Sequence, residues 1–210
     1  DIDKTARHFH SIAYDRYHDL LIVTLGDGNY VRVAVSSDQG KNWRPAYKGA
    51  WQSVPIVVLE DHVVFGMDSD MSSGILTWRP EVDKWKTTHL KWRGGRVRVM
   101  QMVDLRYLDE GIWMAALGAP QGLIVSPNLK EWYPIYMEGF DVAFNHSICL
   151  SEGKNVVASA TGNSMIAVEK DYLAEKIGEL SPIACEYKAI YRKLIGSARD
   201  IKEGLLHATF

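Results

Sequence analysis

Residues 20–43 read LLIVTLGDGNYVRVAVSSDQGKNW, two runs of β-branched and small residues separated by a Gly-Asp-Gly-Asn turn and closed by a second turn that ends in Trp43. Each run is short, nearly all apolar and bounded by Gly, Asp, Asn or Ser, the composition of a strand covered on both faces rather than of an amphipathic helix. The same pattern recurs along the chain. Leu20–Gly26 is matched by His62–Asp68, Gly111–Gly118 and Asn155–Gly162, with starts 42, 49 and 44 residues apart. Val31–Asp38 is matched by Gly74–Pro80, Gly122–Asn128 and Ser164–Asp171, spaced 43, 48 and 42. Trp43, Trp85 and Trp132 follow in three of the units, and Phe9–Tyr14, Val54–Leu59, Arg98–Val103 and Phe144–Leu150 precede them.

A unit of strand, loop, strand, tight turn, strand, Trp-bearing turn and short strand in 40–50 residues has the period of a propeller blade. The sequence therefore predicts an all-β fold, a β-propeller with four recognisable blades at about 7–49, 50–94, 95–139 and 140–186. Residues 187–210 are expected to form a closing segment, a short helix or a partial fifth blade, because only Tyr187–His207 spaces its apolar residues as a helix does. The whole is either a small ring or a segment of a larger propeller.

Composition narrows the partners. The chain has 210 residues, 24 Lys+Arg against 26 Asp+Glu, 47% hydrophobic and 24% charged residues, which is ordinary globular composition with no basic excess for nucleic acid. No apolar run approaches the ~18–20 residues of a membrane-spanning helix. Two cysteines, Cys149 and Cys185, define no disulfide framework. The chain opens on Asp1-Ile2-Asp3-Lys4 rather than Met, so a start is expected to have been removed or to lie outside this sequence. A Gly-rich phosphate loop, Cys-x-x-Cys and Gly-x-Ser-x-Gly are all absent, which argues against nucleotide hydrolysis, thiol redox and hydrolase-elbow chemistry.

Ser36-Ser37-Asp38-Gln39-Gly40-Lys41-Asn42-Trp43 matches the pattern Ser-x-Asp-x-Gly-x-x-Trp, and in this the chain resembles the Asp-box (BNR-repeat) propellers, the sialidase-like superfamily. Ser36, Asp38, Gly40 and Trp43 are structural in that reading: the carboxylate accepts turn amides, Gly40 supplies a conformation other residues resist, and Trp43 packs between sheets. Ser126–Trp132 is a worn version one residue shorter, and Arg79–Trp85 keeps only the Trp. Residues 7–68 also resemble the opening of a group of Asp-box proteins of microbes and their viruses, through His8-Phe9-His10, Tyr14-Asp15 and Gly26-Asp27. The Arg-Ile-Pro entry of sialidases is missing, with Ser53-Val54-Pro55 in its place, and no Tyr and Glu pair for a sialidase mechanism stands out.

In such a blade the loop entering the first strand and the loop joining the second and third open on one face, opposite the Asp-box turns. That rim carries Arg7, His8, Asp27, Asn29, Trp51, Gln52, Asp68, Asp70, Arg93, Arg96, Asn145 and Asn163, with Trp92 on the same face. Asp27 and Asp68 are candidate catalytic carboxylates for a glycosidase, whose chemistry needs two carboxyls about 5–10 Å apart; turn chemistry is the plainer reading of both. His10 and His146 begin the same His-Ser-Ile tripeptide in the first and fourth units and are candidate catalytic or metal-ligating imidazoles, although zinc or manganese needs three or four ligands at about 2.0–2.3 Å. His8 is the third ligand if its ring turns to the same side, two residues along a strand from His10. Hydrogen-bonded inner-strand histidines are the plainer alternative. No other cofactor is expected. Arg7, His8, Trp51, Trp92, Arg93 and Arg96 are candidate ligand-binding residues, the tryptophans because flat rings stack on sugars at low entropic cost. His18, His62, His89 and His207 are expected to be solvated.

The functional expectation is glycan or polysaccharide recognition by the loop rim of a virus- or microbe-derived surface-binding protein, extracellular or on a virion. The alternatives are a glycan-degrading enzyme, either a glycoside hydrolase or a metal-assisted polysaccharide lyase, and a structural or protein-interaction propeller. Further blades or a partner chain completing the ring are the other expected partners.

Overall fold

The computed structural model describes residues 2–27, 31–49, 51–69, 74–89, 100–108, 111–119, 121–137, 150–161 and 164–177. Within them the chain is almost wholly antiparallel β-structure. Four strands, β1 (His8–Asp15), β2 (Leu20–Gly26), β3 (Val31–Ser36) and β4 (Arg44–Lys48), form a sheet in chain order. The next set, β5 (Gln52–Val58), β6 (Val63–Ser69), β7 (Gly74–Arg79) and β8 (Lys84–His89), repeats this meander, as does the set β9 (Met100–Tyr107), β10 (Trp113–Ala119), β11 (Gln121–Ser126) and β12 (Tyr133–Met137). Those two sets are joined into one sheet only where Asp68 and Ser69 at the end of β6 pair with Gln101 and Met100 at the start of β9. A third sheet holds β13 (Leu150–Glu152), β14 (Val156–Thr161) and β15 (Ser164–Glu169). Residues 98 and 99, where the sequence reading began the third set, lie outside the described residues.

The sets stack face to face, and the sequence shows why. Consecutive residues of a strand point to opposite faces, so a run without polar interruptions must be covered on both. Ile22, Val33 and Val35 of the first set pack with Val63, Phe65, Met67, Leu76 and Trp78 of the second. The alternate residues Val64 and Ile75 turn the other way, onto Met102, Leu105, Trp113, Ala115, Leu117, Ile124 and Trp132 of the third set. Met114, Ala116, Leu123 and Val125 then face Leu150, Val157 and Val168 of the fourth. On the far side of the first sheet, Val23, Leu25, Val31 and Ala34 are met by Ile2, Ala6 and Trp43. The leading strands gather on one side: β1 lies beside β5, β5 beside β9, and β9 beside β13.

The first and third Trp-bearing turns share a hydrogen-bond plan, which the second lacks: the Trp85 indole N–H has no partner among the described residues. In the first, Gly40 N–H donates to Ser36 Oγ at 2.8 Å, Asn42 N–H to Asp38 Oδ1 at 2.8 Å, and the Trp43 indole to Gly40 O at 2.9 Å. In the third, Lys130 and Glu131 N–H donate to Asn128 Oδ1 at 2.9 and 3.0 Å and the Trp132 indole to Leu129 O at 3.2 Å. Asn128 offers an acceptor where Asp38 stands in the first turn. The first turn takes its bend through two left-handed residues, Gln39 and Gly40 at φ 62° and 86°; the turn one residue shorter needs only Leu129 at φ 62°.

The fourth set departs from the expected plan. After β15 the chain forms α1 (Lys170–Ile177) instead of a turn and a short strand. Leu173 and Ile177, four apart on one helix face, pack onto the cluster shared by the third and fourth sets, while Asp171 sits in the first turn, where the helix dipole favours a negative charge. The proposed closing segment 187–210 and Cys149 and Cys185 lie outside the described residues. Among the described residues no helix is long and apolar enough to cross a membrane.

Candidate functional site

The strand directions place the start of β1, the end of β2, the start of β5, the end of β6 and the start of β9 at one end of the sheets. His8, Asp27, Gln52, Asp68 and Gln101 stand there, and the Ser36–Trp43 turn stands at the other end. His8 and His10, two apart on β1, share a face, and the pairing of β1 with β2 shifts between Phe9 and Ser11, a bulge of the kind that re-aims a side chain. The His8 and His10 rings lie 4.7 Å apart, tilted by 48°, with their Nε2 atoms 2.8 Å from each other. His10 Nδ1 is 2.8 Å from the Ser53 carbonyl oxygen, and His8 Nδ1 is 3.8 Å from Asp27 Oδ2. Both rings lie over Gly26, where a Cβ would collide with each Nε2. Glycine at the end of β2 is thus the condition for the two imidazoles to converge.

Hydrogen-bond chemistry fixes one ring. A carbonyl oxygen only accepts, so His10 carries its proton on Nδ1 and turns a lone pair on Nε2 toward His8.

Asp27 holds φ 54°, in the left-handed region; Asp tolerates this better than most residues. Its N–H donates to Gln52 Oε1 at 3.3 Å, and Arg7 N–H donates to Gly26 O at 3.1 Å, tying the entering segment to the site. Gln52 lies opposite Asp68 in the β5–β6 register, and Asp68 opposite Gln101 in the β6–β9 register. Gln52 therefore adjoins both Asp27, through the latter's backbone N–H, and Asp68, through the strand register. The Arg7 side chain is exposed, and Trp51 packs partly buried against the cluster between the first two sets. His146, Trp92, Arg93 and Arg96, like the rim residues Asn29, Asp70, Asn145 and Asn163, lie outside the described residues. Among the described residues no group of three or more His, Cys, Asp or Glu side chains is placed to hold a metal ion.

Two polar residues were missed by the sequence reading. Arg32, second in β3, is 8% exposed; its Nε donates to Gly49 O at 2.9 Å, and Nη1 has no partner among the described residues. Burial lowers its pKa, while the Asp27 and Asp3 carboxylates and Tyr47 act in the opposite sense. A charge inside the apolar run Val31–Val35 was the available signal, since a buried charge needs a reason. Ser53 is fully buried with its Oγ unpartnered among the described residues. At the opposite end, the Asn42 N–H, the Asn42 side-chain amide and the Ser36 hydroxyl hold Asp38 below the usual carboxylate pKa. His18 is not solvated as expected: its Nδ1 lies 2.8 Å from Oδ2 of the buried Asp15.

Stacked antiparallel meanders with their leading strands gathered on one side define a propeller-type all-β protein, and comparison with solved structures agrees on that fold. A chain from a crystal structure of a nidogen/laminin complex superposes with a TM-score of 0.57 at 11% identity, over 80% of this chain and 62% of that one. The GH74 xyloglucanase from Xanthomonas campestris superposes with a TM-score of 0.54 at 13% identity, over 76% of this chain and 27% of the enzyme. The chain thus spans less than two thirds of either. No family model and no curated protein matches the sequence.

Proposed function

We propose that this chain is a set of four Asp-box propeller blades whose His8 end recognises a glycan. The blade reading is supported by the recurring meander and by the Ser36–Trp43 and Ser126–Trp132 turns, which share the Trp-to-carbonyl bond three residues back. The observation that carries the functional reading is the convergence of His8 and His10 from β1, Asp27 from the end of β2 and Gln52 from β5 at one solvent-accessible end. Sugar hydroxyls both donate and accept; carboxylates accept, while imidazole and amide groups do both, so the set matches such a ligand without demanding a charged one. That one structural neighbour is a xyloglucanase is consistent with a polysaccharide as the ligand class.

The test is a glycan array probed with the unmodified chain and with Asp27→Asn, Gln52→Ala and, as a control at the opposite end, Glu131→Ala. Loss of a hydrogen bond to a charged group weakens binding by about tenfold or more, so Asp27→Asn is expected to lose most of its signal and Glu131→Ala none. An array silent to the unmodified chain, or Asp27→Asn binding unchanged, overturns the reading.

That Gln52 adjoins both the Asp27 backbone and, in register, Asp68 favours one second reading, glycoside hydrolysis by the carboxylates of Asp27 and Asp68. It requires reducing sugar to be released by the unmodified chain and not by Asp27→Asn or Asp68→Asn; a bound glycan recovered uncleaved leaves recognition alone.

A further inference from the structure

The geometry points to an open binding site for a divalent transition metal of tetragonal preference, Cu2+ or Ni2+, held by His8 Nε2 and His10 Nε2, and this inference stands apart from the glycan reading. It begins with the outer nitrogens. His10 Nδ1 is turned to a backbone carbonyl and His8 Nδ1 to the Asp27 carboxylate, the two acceptor types that orient metal-bound imidazoles through their other nitrogen. If both Nδ1 atoms carry the proton those acceptors call for, two Nε2 lone pairs face each other 2.8 Å apart. If His8 instead carries its proton on Nε2, that proton is shared with the His10 Nε2 lone pair at 2.8 Å, and the exposed His8 Nδ1 lies 3.8 Å from Asp27, beyond hydrogen-bond distance. In that arrangement a metal ion takes the place of the shared proton between the two Nε2 atoms.

The spacing selects the kind of ion. Nitrogens 2.8 Å apart, each about 2.0–2.1 Å from one ion, subtend roughly 85–90° at it, whereas a tetrahedral ion would hold them about 3.3–3.4 Å apart. Neighbouring corners of a square-planar or tetragonal site are the positions Cu2+ and Ni2+ prefer, with imidazole as a suitable ligand. Gly26 contributes by absence, since a Cβ there would push both Nε2 atoms out of place. The remaining coordination positions face solvent, because the His8 side chain is 49% exposed; water or a ligand oxygen completes them.

The experiment titrates the full chain, without a polyhistidine tag and freed of metal by chelator and gel filtration, with Cu2+ and Ni2+ by calorimetry. Copper electron paramagnetic resonance reads the nitrogen ligands directly. One ion per chain with nitrogen hyperfine splitting is expected. His8→Gln and His10→Gln should each weaken binding by at least about tenfold and Asp27→Asn by about tenfold, while His62→Gln leaves it unchanged. Gly26→Ala, in a chain whose circular dichroism is native, should bind as poorly as the histidine variants. No saturable binding by the unmodified chain overturns the inference and assigns the contact to a proton instead of a metal. Binding unchanged in both histidine variants overturns it as well.

Discussion

Replacing Trp132 by Ala measures how strongly the second and third strand sets depend on each other. The side chain is fully buried among Val64 and Ile75 of the second set and Met102, Leu105, Ala115 and Ile124 of the third. Its indole donates to Leu129 O at 3.2 Å. Truncation of a buried Trp costs about 3–5 kcal/mol, because transfer energy is lost and the cavity collapses only in part; loss of the indole bond lies within that range. Trp43 holds the matching place in the first turn with the same kind of bond, 2.9 Å to Gly40 O. It is only partly buried, on the sheet face met by Ile2 and Ala6, and partial burial scales the cost of Trp43→Ala down to about 1–2 kcal/mol. Urea unfolding followed by fluorescence and far-UV circular dichroism measures both. In a chain of this size 1 kcal/mol moves Tm by about 2–4 °C, so Trp132→Ala should melt roughly 10 °C below the unmodified chain and Trp43→Ala about half as far. Equal costs for the two, or less than about 1 kcal/mol for Trp132→Ala, would refute the face-to-face stacking drawn from these contacts.

Gly66→Ala should destabilise by about 1–3 kcal/mol through overpacking, because its Cβ would lie 2.5 Å from Met102 Sδ and 2.6 Å from Pro55 Cγ; a change below about 0.5 kcal/mol in urea unfolding contradicts that contact. Stability should also fall in acid. Asp38, held low by Asn42 and Ser36, Asp3, held low by Thr5 and Val31, and Asp61, held low by His62, all have native pKa values below the ordinary 3.8. A depressed carboxylate stabilises the fold fully above its unfolded value, and that stabilisation is lost as pH falls through the native one, where the unfolded chain binds more protons. Tm measured from pH 6 down to pH 2 should therefore drop mainly below about pH 4, and Asp38→Asn should shallow that drop; an unchanged slope contradicts the role given to Asp38.

Much of the architecture was legible because it is written in runs without polar residues. Leu20–Val23, Val63–Phe65 and Met114–Leu117 can be satisfied only by cover on both faces, and the in-step repeat says what covers them. The helix Lys170–Ile177 was not legible: eight residues with one apolar pair at helical spacing, Leu173 and Ile177, resemble a polar turn until the cluster they cover is known. Nor could the sequence assign a partner to Asp104, which interrupts the apolar pattern of β9: its carboxylate accepts the Leu150 N–H at 2.9 Å and so ties the third set to the fourth. At the candidate site the repeat brought His8, Asp27, Gln52 and Asp68 to one end of the sheets. It allowed His8 and His10 to share a face, but could not show the bulge between Phe9 and Ser11, since bulges leave no period in the sequence, nor the bond that Arg32 makes to Gly49 O. His18 was misread for a related reason: its partner Asp15 is buried by folding, not by its neighbours in sequence.

The central claim is that ligand meets the His8 end of the sheets and not the end of the Trp-bearing turns. Two-dimensional amide NMR of the isotope-labelled chain, titrated with the best glycan from the array, tests it most directly. The account predicts shifts concentrated at His8, His10, Asp27, Gln52 and Asp68, with Ser36–Trp43 and Ser126–Trp132 unmoved. Shifts concentrated in those turns, or none at any glycan concentration, would contradict it.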